Sequence, residues 1–335
     1  QGHLTLDFIE TAGQDVFAPL EPVTFAEMST DTGIPIEVLS TIREAMGGPP
    51  ASGDDRVGRL EMEVLPFVQM QDELGFRHRA IQQGLRVYGE TLSRVAETEA
   101  EWFRTEILEP TMAKGLSQAD LARIAVDLSP RLSAVSDPAL MAIYHAQQGR
   151  AWMANIINGL AGALEAAGLH TVEQSIPAMC FLDITGYTSL AAQEGDQVAA
   201  DTAETLRRIV DRRAAEHDGR AVKWLGDGVM LWFPSPGPGV MATVEMVDEI
   251  AKSGLPPAHV GLHAGPVVFQ EGDYYGNTVN VAARIGEYAR PGEVLVSQEV
   301  VDRAEVGRAI TFEEIGSVEL RGLSEPITLY AVVAT

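Results

Sequence analysis

The 335-residue sequence has only one cysteine, Cys180, and few basic residues. A single cysteine excludes an internal disulfide and is typical of a reducing compartment, so we expect a cytoplasmic protein. Against 24 lysines and arginines stand 48 aspartates and glutamates, which gives a formal charge of -24. Such a surface repels polyanions, and we therefore expect no nucleic-acid partner. A polyanionic substrate would need local cations or bound metal.

The sequence also lacks a long uninterrupted apolar run. Only residues 151–169 approach the length of a membrane span, and Asn155, Asn158 and Glu165 interrupt them. A packed helix is therefore predicted there, and no membrane span. The hydrophobic fraction of 46% and the chain length are sufficient for two domains with buried cores.

One apolar run ends on a carboxylate. Residues 178–184 read Ala-Met-Cys-Phe-Leu-Asp-Ile, which predicts a buried strand in which Asp183 is the only charge. Burying a carboxylate is costly unless a cation neutralises it. Considered alone, Asp183 could equally cap the helix that follows Gly186.

A second stretch indicates a metal-dependent site. Residues 222–233 predict a hairpin with Asp227 at its tip, because Asp-Gly between apolar runs favours a tight turn. Two carboxylates at the ends of buried strands can hold hard cations such as Mg²⁺, which leave part of their coordination shell to substrate phosphates. The pair Asp183 and Asp227 therefore suggests phosphoryl transfer.

With these two motifs the second half of the chain resembles the catalytic domain of class III nucleotidyl cyclases. The resemblance continues in order through residues 261–268, 275–284 and 320–330. It implies an α+β catalytic domain with the ferredoxin-like palm of that family. It also implies two Mg²⁺ or Mn²⁺ ions per active site, bound by Asp183, Asp227 and the backbone carbonyl of Ile184. Turn amides near Gly186 would hold phosphate.

The resemblance assigns further residues to the nucleotide. Lys223 and Asp273 match the pair that reads adenine, with lysine donating to N1 and the carboxylate accepting from the exocyclic amine. Asn280 would orient the ribose and Arg284, four residues later on one helical face, would stabilise charge on the α-phosphate. Arg321 is the candidate for the terminal phosphates.

The first half predicts helices, with no strand before about residue 176. Thr24 and Glu27 form a capping box, a break is expected at Pro66, and new helices are expected at Ser117 and Asp137. We predict an all-α regulatory domain over residues 1–136, a connecting helix and linker over 137–174, and the catalytic domain over 175–335.

The implied function is an adenylate cyclase that acts as a homodimer with shared active sites and makes 3′,5′-cyclic AMP and pyrophosphate from ATP. A guanylate cyclase is an alternative that Lys223 and Asp273 disfavour. A non-catalytic nucleotide-binding sensor or dimerisation module is another. The two short helices within residues 24–46 also resemble half of a helix-turn-helix motif, but Arg43 is the only base-reading cation on the second.

Overall fold

The computed structural model describes residues 19–115, 118–166 and 176–334. The chain divides into two compact units, Gln1–Ala163 and Leu164–Thr335. In the described segments no helix is both long enough and apolar enough to cross a membrane.

The first unit is mainly helical, as predicted. Its elements are β1 (Leu20–Thr24), α1 (Phe25–Thr32), α2 (Ile36–Ala45), β2 (Arg56–Gly58), α3 (Arg59–Glu73), α4 (His78–Phe103), a π-helical turn (Arg104–Leu108), α5 (Glu109–Ala113) and the start of α6 (Gln118–Ala166). The prediction of no strand in this half was wrong in one detail, because β1 and β2 form a short antiparallel pair. Both strands are too short to show an alternating apolar pattern.

Three prolines lie inside helices, and at two of them the sequence had predicted a helix boundary. Pro66 is within α3, and Pro130 and Pro138 are within α6, so the break predicted at Pro66 and the helix start at Asp137 were both wrong. An interior proline costs a helix about 3 kcal/mol. In α3 the burial of Leu65 and Val68 offsets that cost. The helix start predicted at Ser117 lies outside the described residues.

The capping box at α1 is present. The Thr24 hydroxyl accepts from the amide of Glu27 at 3.2 Å, and the Glu27 carboxylate accepts from the amide of Thr24 at 2.9 Å. On α2, Arg43 turns inward: its Nε donates to Glu61 at 2.6 Å, and its guanidinium lies 4.6 Å from the ring centre of Phe25. Arg43 therefore stabilises the packing of this unit, and its side chain does not project outward as a residue that reads DNA bases would.

The second unit is built on a seven-stranded sheet, which confirms the predicted α+β class. Its strands are β3 (Ala178–Ile184), β4 (Arg220–Leu225), β5 (Gly228–Phe233), β6 (Ala258–Ala264), β9 (Val294–Ser297), β10 (Ile310–Val318) and β11 (Ile327–Ala334), in the order β10-β11-β9-β6-β3-β5-β4. Neighbouring strands are antiparallel except β6 and β9.

The remaining elements lie around this sheet. They are α7 (Tyr187–Glu194), α8 (Asp196–Glu216), α9 (Pro236–Lys252), the hairpin β7 (Val268–Gln270) and β8 (Asp273–Tyr275), α10 (Asn277–Tyr288) and α11 (Gln298–Val301). Residues 236–239 form the first turn of α9, because proline is well tolerated in the first helical turn.

Alternation along β3 separates the two faces of the sheet. One face packs against α8 and α9 in the largest core cluster, and its β3 members are Ala178, Cys180, Leu182 and Ile184. Met179, Phe181 and Asp183 point to the other face, which we call the open face. Helix α10 crosses that face in close contact with β6, at Gly261 and Gly286.

Candidate active site

Asp183 lies near the end of the interior strand β3, on the open face. It pairs in register with Gly228 of β5 and His259 of β6. Its carboxylate is half exposed; Oδ1 accepts from the amide of Ile184 at 3.0 Å, and Oδ2 is 4.0 Å from Nε2 of His259. The side chain is therefore fixed from one side and open to a ligand on the other.

Asp227 occupies the turn between β4 and β5, beside Asp183. Gly226 has a positive φ of 74°, and a Cβ at Gly228 would come within 3.2 Å of Oδ1 of Asp183. The two glycines thus let the turn approach the carboxylate of Asp183 closely. Burial raises the pKa of Asp183, and the negative charge of Asp227 raises this pKa further, while His259 and the Ile184 amide lower it.

This mutual repulsion is what a bound cation would relieve. No group of three or more histidine, cysteine or acidic side chains in the described segments could hold a metal ion. Two carboxylates with a nearby carbonyl, that of Ile184, nevertheless fit a hard divalent cation that takes its other ligands from water and phosphate. The residues present therefore fit the expected metal.

Gly186 directly precedes α7. It has a positive φ of 83°, and its carbonyl accepts from the amide of Leu190 at 3.0 Å. The amide of Thr185 is already used, because it donates to the carbonyl of Pro257 at 3.0 Å. The chain therefore turns directly from Asp183 into the start of a helix, the arrangement expected for a phosphate-holding turn.

Lys223 and Asp273, fifty residues apart in sequence, form an ion pair. Nζ of Lys223 is 3.1 Å from Oδ2 of Asp273, and the two side chains are 52% and 20% exposed. The other carboxylate oxygen of Asp273 accepts from the amide of Tyr274 at 2.8 Å. The structure thus brings together the two residues that the sequence assigned to the base.

Asn280 and Arg284 both lie on α10. Asn280 is exposed, and Nη1 of Arg284 contacts both carboxylate oxygens of Glu287 at 2.5 and 2.6 Å. Arg321 is exposed in the turn between β10 and β11. Its neighbour Leu320 is buried in a cluster that includes residues of α10, so the turn is anchored beside the helix that carries Arg284.

The carboxylate pair and the start of α10 lie at opposite ends of the open face. The hydroxyl of Thr278 in the first turn of α10 donates to the carbonyl of Pro266 at 2.7 Å, just beyond the end of β6 that pairs with Ala178. Asp183 is five residues further along β3, or about 17 Å of strand. Within one chain the first turn of α10 is therefore distant from the carboxylate pair, whereas Gly286, near the end of this helix, lies beside Phe181.

Four residues near these groups were missed by sequence reasoning. His259 faces Asp183 only through the pairing of β3 with β6, and Glu287 meets Arg284 at a common helical spacing. Arg220 and Tyr274 contact each other beside the pair Lys223 and Asp273. The spacing of Glu287 was visible in the sequence; the other three depend on strand register.

Comparisons with known proteins match both units. Residues 173–334 match the family model described as the adenylate and guanylate cyclase catalytic domain, and residues 13–147 match that of the adenylate cyclase regulatory domain. A pH-sensitive adenylate cyclase of Mycobacterium tuberculosis is 29% identical over 324 residues, which cover 92% of this chain and 78% of the relative.

Two further proteins are similar. An adenylate cyclase of Glutamicibacter nicotianae is 25% identical over 318 residues, covering 91% of this chain and 78% of its own length. Among solved structures, the adenylyl cyclase CyaB from P. aeruginosa is 20% identical, with a TM-score of 0.42, covering 48% of this chain and 94% of its own.

Proposed function

Residues 173–334 place this chain in the adenylate and guanylate cyclase family, with an adenylate cyclase regulatory domain at residues 13–147; from this premise we propose that it is an adenylate cyclase. The reaction is attack of the ribose 3′-hydroxyl on the α-phosphate of the same ATP, which releases pyrophosphate and closes the 3′,5′-cyclic ester. The observation that carries the proposal is the carboxylate pair Asp183 and Asp227 at the edge of the open face.

The chain's own residues divide the chemical work. Asp183, Asp227 and the carbonyl of Ile184 hold two divalent cations, Mg²⁺ or Mn²⁺. When bound, such ions lower the pKa of the attacking hydroxyl and neutralise phosphate charge. Arg284 places a planar guanidinium at the α-phosphate, where negative charge grows in the transition state. The turn at Gly186 and the side chain of Arg321 hold the other phosphates, and Asn280 orients the ribose.

Base choice rests on the ion pair of Lys223 and Asp273. An ammonium group donates to N1 of adenine, and a carboxylate accepts from its exocyclic amine. Guanine offers a donor at N1 and an acceptor at its exocyclic oxygen, so it would face like groups at both positions. A mismatch that leaves polar groups unpaired is strongly disfavoured.

A second copy of the chain completes each site. The carboxylate pair and Asn280 are separated by most of the length of β3 within one chain, whereas one ATP must contact both. In a twofold-symmetric dimer whose open faces meet, the carboxylates of one copy would lie against α10 of the other. This arrangement gives two equivalent sites. The N-terminal unit then regulates activity by changing how the two catalytic units meet.

The experiment measures cyclic-nucleotide formation by the purified chain with ATP or GTP and with Mg²⁺ or Mn²⁺. Cyclic AMP from ATP is expected, with little product from GTP. Asp183→Asn should lower turnover by at least about 1000-fold, because the loss of a charge from a two-carboxylate site removes most of its attraction for metal. Asp248→Asn is the matched control, since this aspartate is exposed on α9, where it pairs with the exposed Lys252.

Two outcomes would contradict the proposal. Equal losses in the two variants would mean that Asp183 has no special role. Nucleotide binding without product from either nucleotide would favour a sensor module. The regulatory part of the proposal is tested by comparing the full chain with residues 173–335 alone; equal turnover would contradict control by the N-terminal unit.

A further inference from the structure

Asp273, assigned above to the base, lies on a small hairpin outside the main sheet. Strands β7 and β8 have three residues each and form a two-stranded sheet of their own. An isolated two-stranded hairpin is at best marginally stable in water. The position of Asp273 is therefore set by the side chains that attach this hairpin to the seven-stranded sheet.

Tyr274 makes the principal attachment. Its side chain is 9% exposed, and its ring lies nearly parallel to that of Trp232 on β5, with centroids 6.0 Å apart. The guanidinium of Arg220 lies 5.7 Å from the ring centre of Tyr274 and 5.4 Å from that of Trp232, and it donates to the tyrosine hydroxyl at 2.8 Å. Ring stacking, cation–π attraction and a charge-assisted hydrogen bond thus act on one side chain.

A β-bulge brings Arg220 to the same face as Lys223. On β5, Trp232 pairs with Arg220 and Met230 pairs with Lys223, and Val222 is the extra residue between them. Residues three apart on a regular strand point to opposite faces. The bulge removes this difference, and it is the kind of irregularity that redirects side chains next to functional sites. Arg220 and Lys223 therefore both contact the hairpin, Arg220 through the side chain of Tyr274 and Lys223 through that of Asp273.

The two attachments meet at the carboxylate of Asp273. One oxygen accepts from the amide of Tyr274 at 2.8 Å, and the other accepts from Lys223 at 3.1 Å. Each carboxylate oxygen has a second lone pair, so the group can still accept from an adenine amine. Because Tyr274 supplies one of these hydrogen bonds from its own backbone, fixing its ring also fixes the orientation of Asp273.

We propose that Arg220 and Tyr274 are positioning residues that determine base specificity, because they hold Asp273 at the distance from Lys223 that adenine requires. This inference rests on the proposed adenylate cyclase function and adds two residues to it that touch neither metal nor phosphate. Loosening the hairpin lets the carboxylate move and lowers the preference for ATP over GTP. The carboxylates that hold metal, on β3 and in the β4–β5 turn, are left in place.

The test compares steady-state kinetics with ATP and with GTP for the wild type, Tyr274→Phe, Arg220→Met and Arg220→Lys. Tyr274→Phe keeps the stacked ring but loses the hydrogen bond from a charged donor, which corresponds to about a tenfold loss. We expect KM for ATP to rise by about this factor, kcat to stay within about twofold, and the ratio of kcat/KM for ATP over GTP to fall about tenfold.

Arg220→Met removes the charge and should have at least the effect of Tyr274→Phe, while Arg220→Lys should recover part of the discrimination. The matched control is Tyr330→Phe. Tyr330 lies on β11, near the other edge of the sheet from β4, and its hydroxyl donates to Gln298 at the start of α11. This control also removes one tyrosine hydrogen bond, and it should leave KM and the nucleotide ratio unchanged.

The possible results distinguish failure of the positioning role of Arg220 and Tyr274 from failure of the proposed adenylate cyclase function. A wild type that makes no cyclic nucleotide would overturn both. An active wild type in which Tyr274→Phe lowers kcat for both nucleotides equally, with an unchanged ATP-to-GTP ratio, would overturn the inference alone, because the pair would then be structural. If Arg220→Met does not fold, as judged by its thermal unfolding midpoint, Tyr274→Phe decides the question.

Discussion

The contact between Gly261 and Gly286 predicts an unequal effect of one methyl group at its two sides. A Cβ at Gly261 would come within 2.0 Å of the amide nitrogen of Gly286, whereas a Cβ at Gly286 would meet its nearest neighbour, Phe181 Cβ, at 3.4 Å, which is an ordinary contact. To accept Gly261→Ala, helix α10 and strand β6 must separate by about 1.4 Å, the difference between 3.4 and 2.0 Å.

The size of the effect follows from this shift. Overpacking of this kind costs about 1–3 kcal/mol of unfolding free energy. Because α10 carries Asn280 and Arg284, and a misplacement of about 1 Å can cost about 100-fold in rate, we expect Gly261→Ala to lower kcat by about two orders of magnitude. Gly286→Ala lies inside the helix, where replacing glycine adds about 0.5–1 kcal/mol of stability, so its activity should be close to that of the wild type.

The assay measures the thermal unfolding midpoint and cyclic AMP turnover for both variants and the wild type. A drop of roughly 2–10 °C is expected for Gly261→Ala, and no drop for Gly286→Ala. Similar midpoints and similar turnover in the two variants would refute the reasoning, since the helix and sheet would then tolerate a side chain equally on either side of their contact.

Two further predictions concern stability. Glu61→Gln weakens the buried ion pair with Arg43, in which the side chain of Glu61 is 8% exposed and that of Arg43 is 17% exposed. In a denaturant titration it should lower the unfolding free energy by about 3 kcal/mol. Glu63→Gln, in an exposed pair with Arg59 at 3.6 Å, should change the unfolding free energy by less than about 0.5 kcal/mol. Equal effects would contradict the role given to burial. Burial lowers the pKa of His263, although the charge of Glu299 opposes this shift. The unfolded chain therefore binds a proton at this histidine more readily than the folded chain does. Stability should consequently fall as the pH drops below about 6.5, the usual pKa of histidine. His263→Gln should flatten the dependence of the unfolding midpoint on pH between 7.5 and 5.5, and an unchanged slope would count against this histidine as its source.

The motif order allowed the family to be predicted from the sequence, and the two family models confirm it. Asp183 could be assigned because a lone carboxylate in an apolar run is unusual, and Asp227 because Asp-Gly favours a turn. Their proximity follows from the pairing of β3 with β5, which the hairpin pattern of residues 222–233 does not predict. The roles of Asp183 and Asp227 in metal binding stay a prediction.

Other features could not be predicted because they depend on tertiary register. Arg220 and Lys223 lie on the same face only because of a bulge at Val222, and a single extra residue in a strand leaves no mark in an apolar pattern. The predicted helix boundaries at Pro66 and Asp137 were wrong for a related reason. Proline signals at residues 66, 130 and 138 are local, and in α3 burial of the flanking side chains outweighs the propensity at Pro66.

The most direct test of the central claim mixes two inactive variants. Asp183→Ala removes a metal-binding carboxylate at one end of the open face, and Arg284→Ala removes the guanidinium on α10. If each site takes one of these residues from each chain, a mixed dimer has one site with both defects and one with neither. An equimolar mixture should therefore recover about a quarter of the wild-type cyclic AMP turnover, since half of the dimers are mixed and each has one intact site. A mixture no more active than its separate components would contradict a site shared between two copies.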